Sequence, residues 1–197
     1  MRILAVSDTE AKQFYDFYRP GVLAEYDLIL ACGDLKASYL EFLVTMARCP
    51  VLYVHGNHDE RFEKRPPEGC DCVEDMIYEY KGIRILGLGG SYRYREGSCM
   101  YSEKEMRRRV RRLYWKLRKS GGFDILLTHA PARGLNDFDT LPHRGFEVFH
   151  ELLEKYKPKY FIHGHIHMEY GHDIPRVTRL EHTTVINASG YYAFDYE

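Results

Sequence analysis

No stretch of this 197-residue chain approaches the roughly 20 consecutive apolar residues that cross a bilayer, so it carries no candidate membrane-spanning helix. Surplus charge is missing too. The 28 Lys and Arg balance 29 Asp and Glu, and no overall field advertises nucleic acid or a membrane surface as partner. Cysteine is scarce and odd in number: Cys32, Cys49, Cys70, Cys72 and Cys99 make no complete disulfide framework. Cys70-Asp71-Cys72 is spaced too tightly for the usual C-x2-C zinc pairing. A reduced, cytoplasmic setting is therefore expected. The short apolar run Ile3 to Val6 lacks the longer hydrophobic stretch and small-residue cleavage site of a secretory signal, and reads as a first strand. Repeats, low-complexity tracts and linkers are absent, so residues 1–197 are expected to form a single domain.

What the chain does contain is one pattern, repeated. A short apolar run ends abruptly in polar residues able to bind a metal. Ile3 to Val6 ends at Asp8, and Leu28 to Ala31 ends at Gly33-Asp34. Val51 to Val54 ends at Gly56-Asn57-His58-Asp59, and Ile125 to Leu127 ends at Thr128-His129. Tyr160 to Ile162 ends at His163-Gly164-His165-Ile166-His167. Short apolar runs bounded in this way read as strands buried on both faces. Further strands are expected at Met76 to Tyr80, Ile83 to Leu88, Thr183 to Ala188 and Tyr191 to Tyr196.

Helical stretches lie between the strands. Ser38-Tyr39-Leu40-Glu41 reads as a capping box opening a helix to about Met46, and Ser102-Glu103-Lys104-Glu105 as another. The second introduces Met106, Val110, Leu113 and Leu117 at helical spacing; Phe146 to Tyr156 gives a third helix, stopped by Pro158. The alternation predicts an α/β domain with helices outside a central sheet, whose ligand site lies beyond the carboxyl ends of the strands.

Taken singly, an aspartate after a strand is usually a turn or helix cap, and a histidine on a strand is usually a satisfied core residue. Five such endings delivered to one sheet edge are not independent. Carboxylates, an amide oxygen and imidazoles are the donors that manganese, iron or zinc accept, and one carboxylate can bridge two ions about 3.5–4 Å apart.

In order and spacing these residues resemble the calcineurin-like metallophosphoesterase superfamily. The matches are Asp8-Thr9-Glu10, Gly33-Asp34, Gly56-Asn57-His58-Asp59, His129 and Gly164-His165-Ile166-His167. The resemblance implies two packed mixed β-sheets flanked by helices, a four-layer α/β/β/α sandwich. It implies two divalent metal ions, manganese first with iron, zinc or magnesium as options. Asp8 and His167 would hold one ion, Asn57, His129 and His165 the other, and Asp34 would bridge. His58 would face the leaving-group oxygen, with Asp59 orienting its ring. The implied activity is phosphoester hydrolysis, with phosphodiesters, including cyclic nucleotides, favoured over monoesters for so compact a member. Two alternatives stay open: a non-catalytic scaffold on the same fold, such as the superfamily's retromer subunit, and a nuclease.

The family's first motif usually has histidine where this chain has Glu10. A carboxylate there would lower the effective positive charge of the ions and make manganese or magnesium more competitive. Glu10 either ligates a metal, binds one through water, or is a solvated residue outside the site.

Between Ser91 and Lys119 eleven Lys or Arg face three Glu. Arg107, Arg108, Arg109, Arg111 and Arg112 read as a solvated helix face, or alternatively as a basic wall or subunit contact, within a basic helical insert at about 91–119. Arg93 and Arg95, on the loop after Gly89-Gly90, are better placed to reach the site. In the loop after His129, Arg133 and His143 are candidate substrate contacts. The expected partner is a phosphorylated small molecule or phosphodiester; nucleic acid is disfavoured for want of aromatic stacking motifs. Seventeen tyrosines, including Tyr191, Tyr192 and Tyr196, suggest packing or a homo-oligomer contact.

Overall fold

The computed structural model describes residues 1–171 and 173–197. In chain order it runs β1 (Arg2–Ser7), β2 (Leu28–Ala31), α1 (Ala37–Ala47), β3 (Val51–Tyr53), β4 (Asp71–Cys72), β5 (Met76–Tyr80) and β6 (Ile83–Leu88). It continues with β7 (Ser91–Tyr92), β8 (Met100–Tyr101), α2 (Glu103–Arg112), α3 (Tyr114–Ser120), β9 (Ile125–Thr128) and α4 (Val148–Tyr156). The last strands are β10 (Tyr160–His163), β11 (Val177–Arg179), β12 (Thr184–Asn187) and β13 (Gly190–Asp195). Every strand expected from the sequence is present. The short β4, β7, β8 and β11 were not foreseen, because runs of two or three residues carry no periodic signal.

The strands form a five-stranded sheet, β13-β1-β2-β3-β4, and a six-stranded sheet, β11-β12-β10-β9-β6-β5. In the first, β1 to β4 run parallel and β13 antiparallel. In the second, β12, β10, β9 and β6 run parallel, with antiparallel β11 and β5 at the edges. Side chains alternate across each strand, which divides the core into three layers. Ile3, Leu28, Leu30 and Leu52 meet Ile85, Ile125, Leu127 and Ile162 between the sheets. Leu4, Ile29 and Val51 turn the other way and pack under Tyr39, Leu40 and Leu43 of α1. Leu86, Leu126 and Phe161 of the second sheet pack under Met106, Leu117, Phe149 and Leu152 of α2, α3 and α4. The result is the four-layer α/β/β/α sandwich expected.

Three local expectations need correction. α1 begins at Ala37 with Lys36 in the N-cap position and no side-chain cap, so Ser38 caps nothing. The Ser102–Glu105 capping box is present as read, but its helix breaks at Leu113 into α2 and α3. Arg109 does not lie on a solvated face. It is 7% exposed, its guanidinium bonded to Asp75 (3.0 Å), Glu74 (3.2 Å) and the Gly89 carbonyl (2.8 Å), and it sits over the Tyr101 ring. A buried guanidinium needs such partners, and none of them could be read from helix periodicity.

Candidate metal centre

Parallel strands point their carboxyl ends the same way, so the polar endings of β1, β2, β3, β9 and β10 arrive at one edge. The turns there are sharp. Asp8, Asp34 and His165 all adopt left-handed backbone conformations, with φ of 63°, 56° and 67°. Side chains other than glycine reach that region at a cost, and residues held there concentrate at functional sites. Two glycines make room beside them: a Cβ on Gly56 would overlap the Asp34 carboxylate, and one on Gly164 would overlap the Ser7 hydroxyl.

One carboxylate oxygen of Asp34 and one ring nitrogen each of His129 and His165 lie within 4.8 Å of one another. Asn57 Oδ1 is 3.0 Å from His129 Nε2, which is itself 3.1 Å from His165 Nδ1. The outer nitrogen of each ring meets a backbone carbonyl: His129 Nδ1 lies 2.7 Å from Cys32 O, and His165 Nε2 lies 2.7 Å from Pro142 O. A ring that donates outward turns a lone pair inward, which is the tautomer a metal ligand needs. Asp8 accepts the His165 N–H through both oxygens (3.0 and 3.1 Å), and one of them is 4.0 Å from His167 Nε2.

Charge in this pocket is unbalanced. Burial pushes the Asp8 carboxyl up. Burial also opposes ionisation of Asp34, but His129 and the His58 N–H prevail and hold it below the usual carboxylate range. Burial disfavours a charged His129, yet Asp34 and Asp8 raise it to about 9. Burial and the neighbouring His129 push His165 down to about 3. An imidazolium proton on His129 thus balances the carboxylates, in the place where a divalent cation would do so. Once that proton leaves, the inward ring nitrogens, the oxygen donors and the carboxylate charge fit a divalent ion.

The other expected residues divide. His58 is exposed and, with Asp8, Asp34, Lys36 and Arg61, lines an open cleft of about 370 Å³. Its N–H donates to Asp34 Oδ1 at 2.7 Å. Asp59 is buried under the same loop, where Oδ2 accepts the N–H groups of Asp34 (2.7 Å) and Gly56 (2.8 Å). It holds the two loops together rather than reaching the His58 ring. Glu10 pairs with Lys36 at 3.1 Å on the wall of the cleft that Asp8 and Asp34 also line, and it is not among the donors grouped with Asp34, His129 and His165. The Arg133 guanidinium is committed to Asp137 (2.9 Å) and Asp139 (2.6 Å). His143 does come in, its ring 5.6 Å from that of His165, and burial followed by the His167 charge lowers its pKa. Arg93 turns back to Met100 O and Glu105.

Three neighbours escaped the sequence reading. Tyr94 OH accepts from Asn57 Nδ2 at 3.4 Å, Tyr170 stacks on His167 with centroids 4.8 Å apart, and Lys36 neutralises Glu10. Only Tyr94 carried a hint, since it lies between the two arginines of a loop already suspected.

Residues 1–169 match the family described as calcineurin-like phosphoesterase. The chain belongs to that family. Membership supports metal-dependent phosphoester hydrolysis as the reaction class and implies phosphate esters as the substrate class. Two UPF0046 proteins of Caenorhabditis elegans are 23% and 25% identical, each over 96% of this chain and over 75% and 69% of their own lengths. Among solved structures, the Thermus thermophilus protein TT1561 is similar with a TM-score of 0.60 and 17% identity, covering 96% of this chain and 89% of that one. A second solved chain reaches a TM-score of 0.66 at 14% identity, covering 98% and 94%. These structures share the fold, and at such identities they carry nothing further.

Proposed function

We propose that this chain is a phosphodiesterase working through a binuclear site, and that manganese is its metal. The convergence of Asp34, Asn57, His129 and His165 at one sheet edge, open to the cleft that His58 lines, carries the reading. Asn57, His129 and His165 would hold one ion, Asp8 and His167 the other, with Asp34 able to serve both. When bound, the ions neutralise charge on the phosphoryl group and make a water acidic enough to attack phosphorus.

The remaining steps belong to side chains. Asp8 fixes the His165 turn through its two contacts to that N–H. Asp59 clamps the Asp34 and Gly56 loops, and so sets the position of His58. His58 faces the leaving-group oxygen and gives it a proton as the P–O bond breaks. Lys36, spent on Glu10, adds little net positive charge to the cleft wall. The Glu10–Lys36 pair also favours the reading in which Glu10 stays off the metal, leaving Asp8 and His167 as a weaker first site.

The test is hydrolysis of bis-p-nitrophenyl phosphate by metal-stripped protein with added manganese. Turnover that needs manganese, exceeds that on p-nitrophenyl phosphate, and falls about 10²–10⁴-fold in His58→Ala supports the assignment. Folded protein inactive with manganese, iron, zinc and magnesium would be a scaffold instead.

A further inference from the structure

A second group of metal donors lies outside this centre, at the free edge of the first sheet. Tyr53 of β3 is in parallel register with Cys72 of β4. His55 and Glu74 lie two residues beyond these, just past the ends of the two strands, where the chain segments still run side by side and their side chains meet. His55 Nδ1 lies 2.5 Å from Glu74 Oε2. One donor atom from each of His55, Cys72 and Glu74 falls within 4.8 Å of the other two.

We propose that His55, Cys72 and Glu74 form a second, thiolate-containing metal site, selective for a thiophilic divalent cation such as zinc or cobalt. The donor set separates it from the first centre, whose donors are all oxygen and nitrogen. Thiolate and imidazole favour zinc over the harder ions. Around a tetrahedral ion with bonds of about 2.0 Å to nitrogen and 2.3 Å to sulfur, donor atoms sit about 3.3–3.5 Å apart. Small rotamer changes bring these three side chains to that spacing.

The surroundings suit a ligand set. The His55 and Glu74 side chains are only 15% and 18% exposed, whereas Cys72 is exposed, which leaves an entry path and a fourth position for water. Glu74 Oε1 is held by Arg109 Nη2 at 3.2 Å, so the carboxylate is steered from behind while Oε2 faces His55. Such outer contacts orient ligating carboxylates. Binding releases the Cys72 thiol proton and the His55 imidazolium proton to solvent, and the ion then ties two-residue β4 to His55, two residues before Asn57. A salt-linked His55–Glu74–Arg109 network with no metal is the competing account, in which Cys72 meets His55 and Tyr53 only through hydrogen bonds.

Cobalt titration of the metal-stripped full-length chain decides between them, because thiolate ligation produces a near-ultraviolet charge-transfer band that oxygen and nitrogen donors do not. The expected result is such a band in the wild type and in Cys70→Ser, lost in Cys72→Ser. Zinc should also slow alkylation of Cys72, read by mass spectrometry, at least ten-fold relative to Cys70. A wild type without the band, or a band that survives Cys72→Ser in protein whose circular dichroism is unchanged, overturns the proposal.

Discussion

Metal affinity at the centre should climb steeply with pH, because His129 must give up a proton to bind. In the metal-free pocket Asp34 and Asp8 outweigh the burial penalty and raise this imidazole to about 9. A ligating nitrogen must be deprotonated, so each pH unit below that value costs about 1.36 kcal/mol of apparent affinity. From pH 6.5 to 8.5 the gain is about 2.7 kcal/mol, or about 100-fold in Kd. His165, pushed down to about 3, is already neutral across this window and adds no slope. The same shift carries a stability consequence of definite sign. The folded value lies above the ordinary 6.5 of histidine, so His129 stabilises the metal-free fold below pH 6.5 and ceases to do so as pH rises through 9. Bound metal should remove that alkaline loss. Isothermal titration with manganese under argon, in buffers of differing ionisation enthalpy, measures both the affinity and the protons released. A Kd that stays flat from pH 6.5 to 8.5, with no proton released, would refute the electrostatic account of the pocket.

Other consequences are simpler to measure. Arg109→Met leaves half-buried Glu74 with His55 as its remaining ion partner and removes a buried guanidinium from its partners, and should cost about 3 kcal/mol in urea unfolding, against about 0.5 kcal/mol or less for exposed Arg111→Ala; equal effects would put Arg109 back on the surface. Ser102→Ala removes a capping box and should lower stability by about 1 kcal/mol, while Ser38→Ala leaves the melting curve unchanged. Gly164→Ala drives a methyl into the Ser7 hydroxyl and should weaken metal binding about 10–100-fold, with Ser7→Gly restoring part of the loss. Gly164→Ala binding metal like the wild type would show that this turn has slack.

An α/β domain and the edge that bears the site were legible because buried parallel strands write themselves as short apolar runs, each ending where the chain leaves the sheet; the division into two packed sheets came only with the family resemblance. Asp8, Asp34, Asn57, His129 and His165 could be picked out for that reason. Side-chain commitments across the fold could not. Glu10 is drawn to Lys36, 26 positions away, in competition with a role at the metal, and Arg133 to two aspartates of its own loop, in competition with a contact to substrate. Ser38 looked like a cap because sequence spacing cannot show that the helix starts one residue earlier.

Local pattern by itself therefore determined the fold class, the order of the strands' polar endings and the chemical type of the centre, since hydrophobic period and residue identity are properties of the linear chain. Tertiary structure alone decided which nitrogen of His129 and His165 faces inward, because that rests on the carbonyls of Cys32 and Pro142, brought there by other strands and loops. It also turned one arginine of a basic helix into a buried anchor. And it set Cys72, whose spacing from Cys70 argues against a metal, beside His55 and Glu74, because strand register brings together residues that the sequence keeps apart.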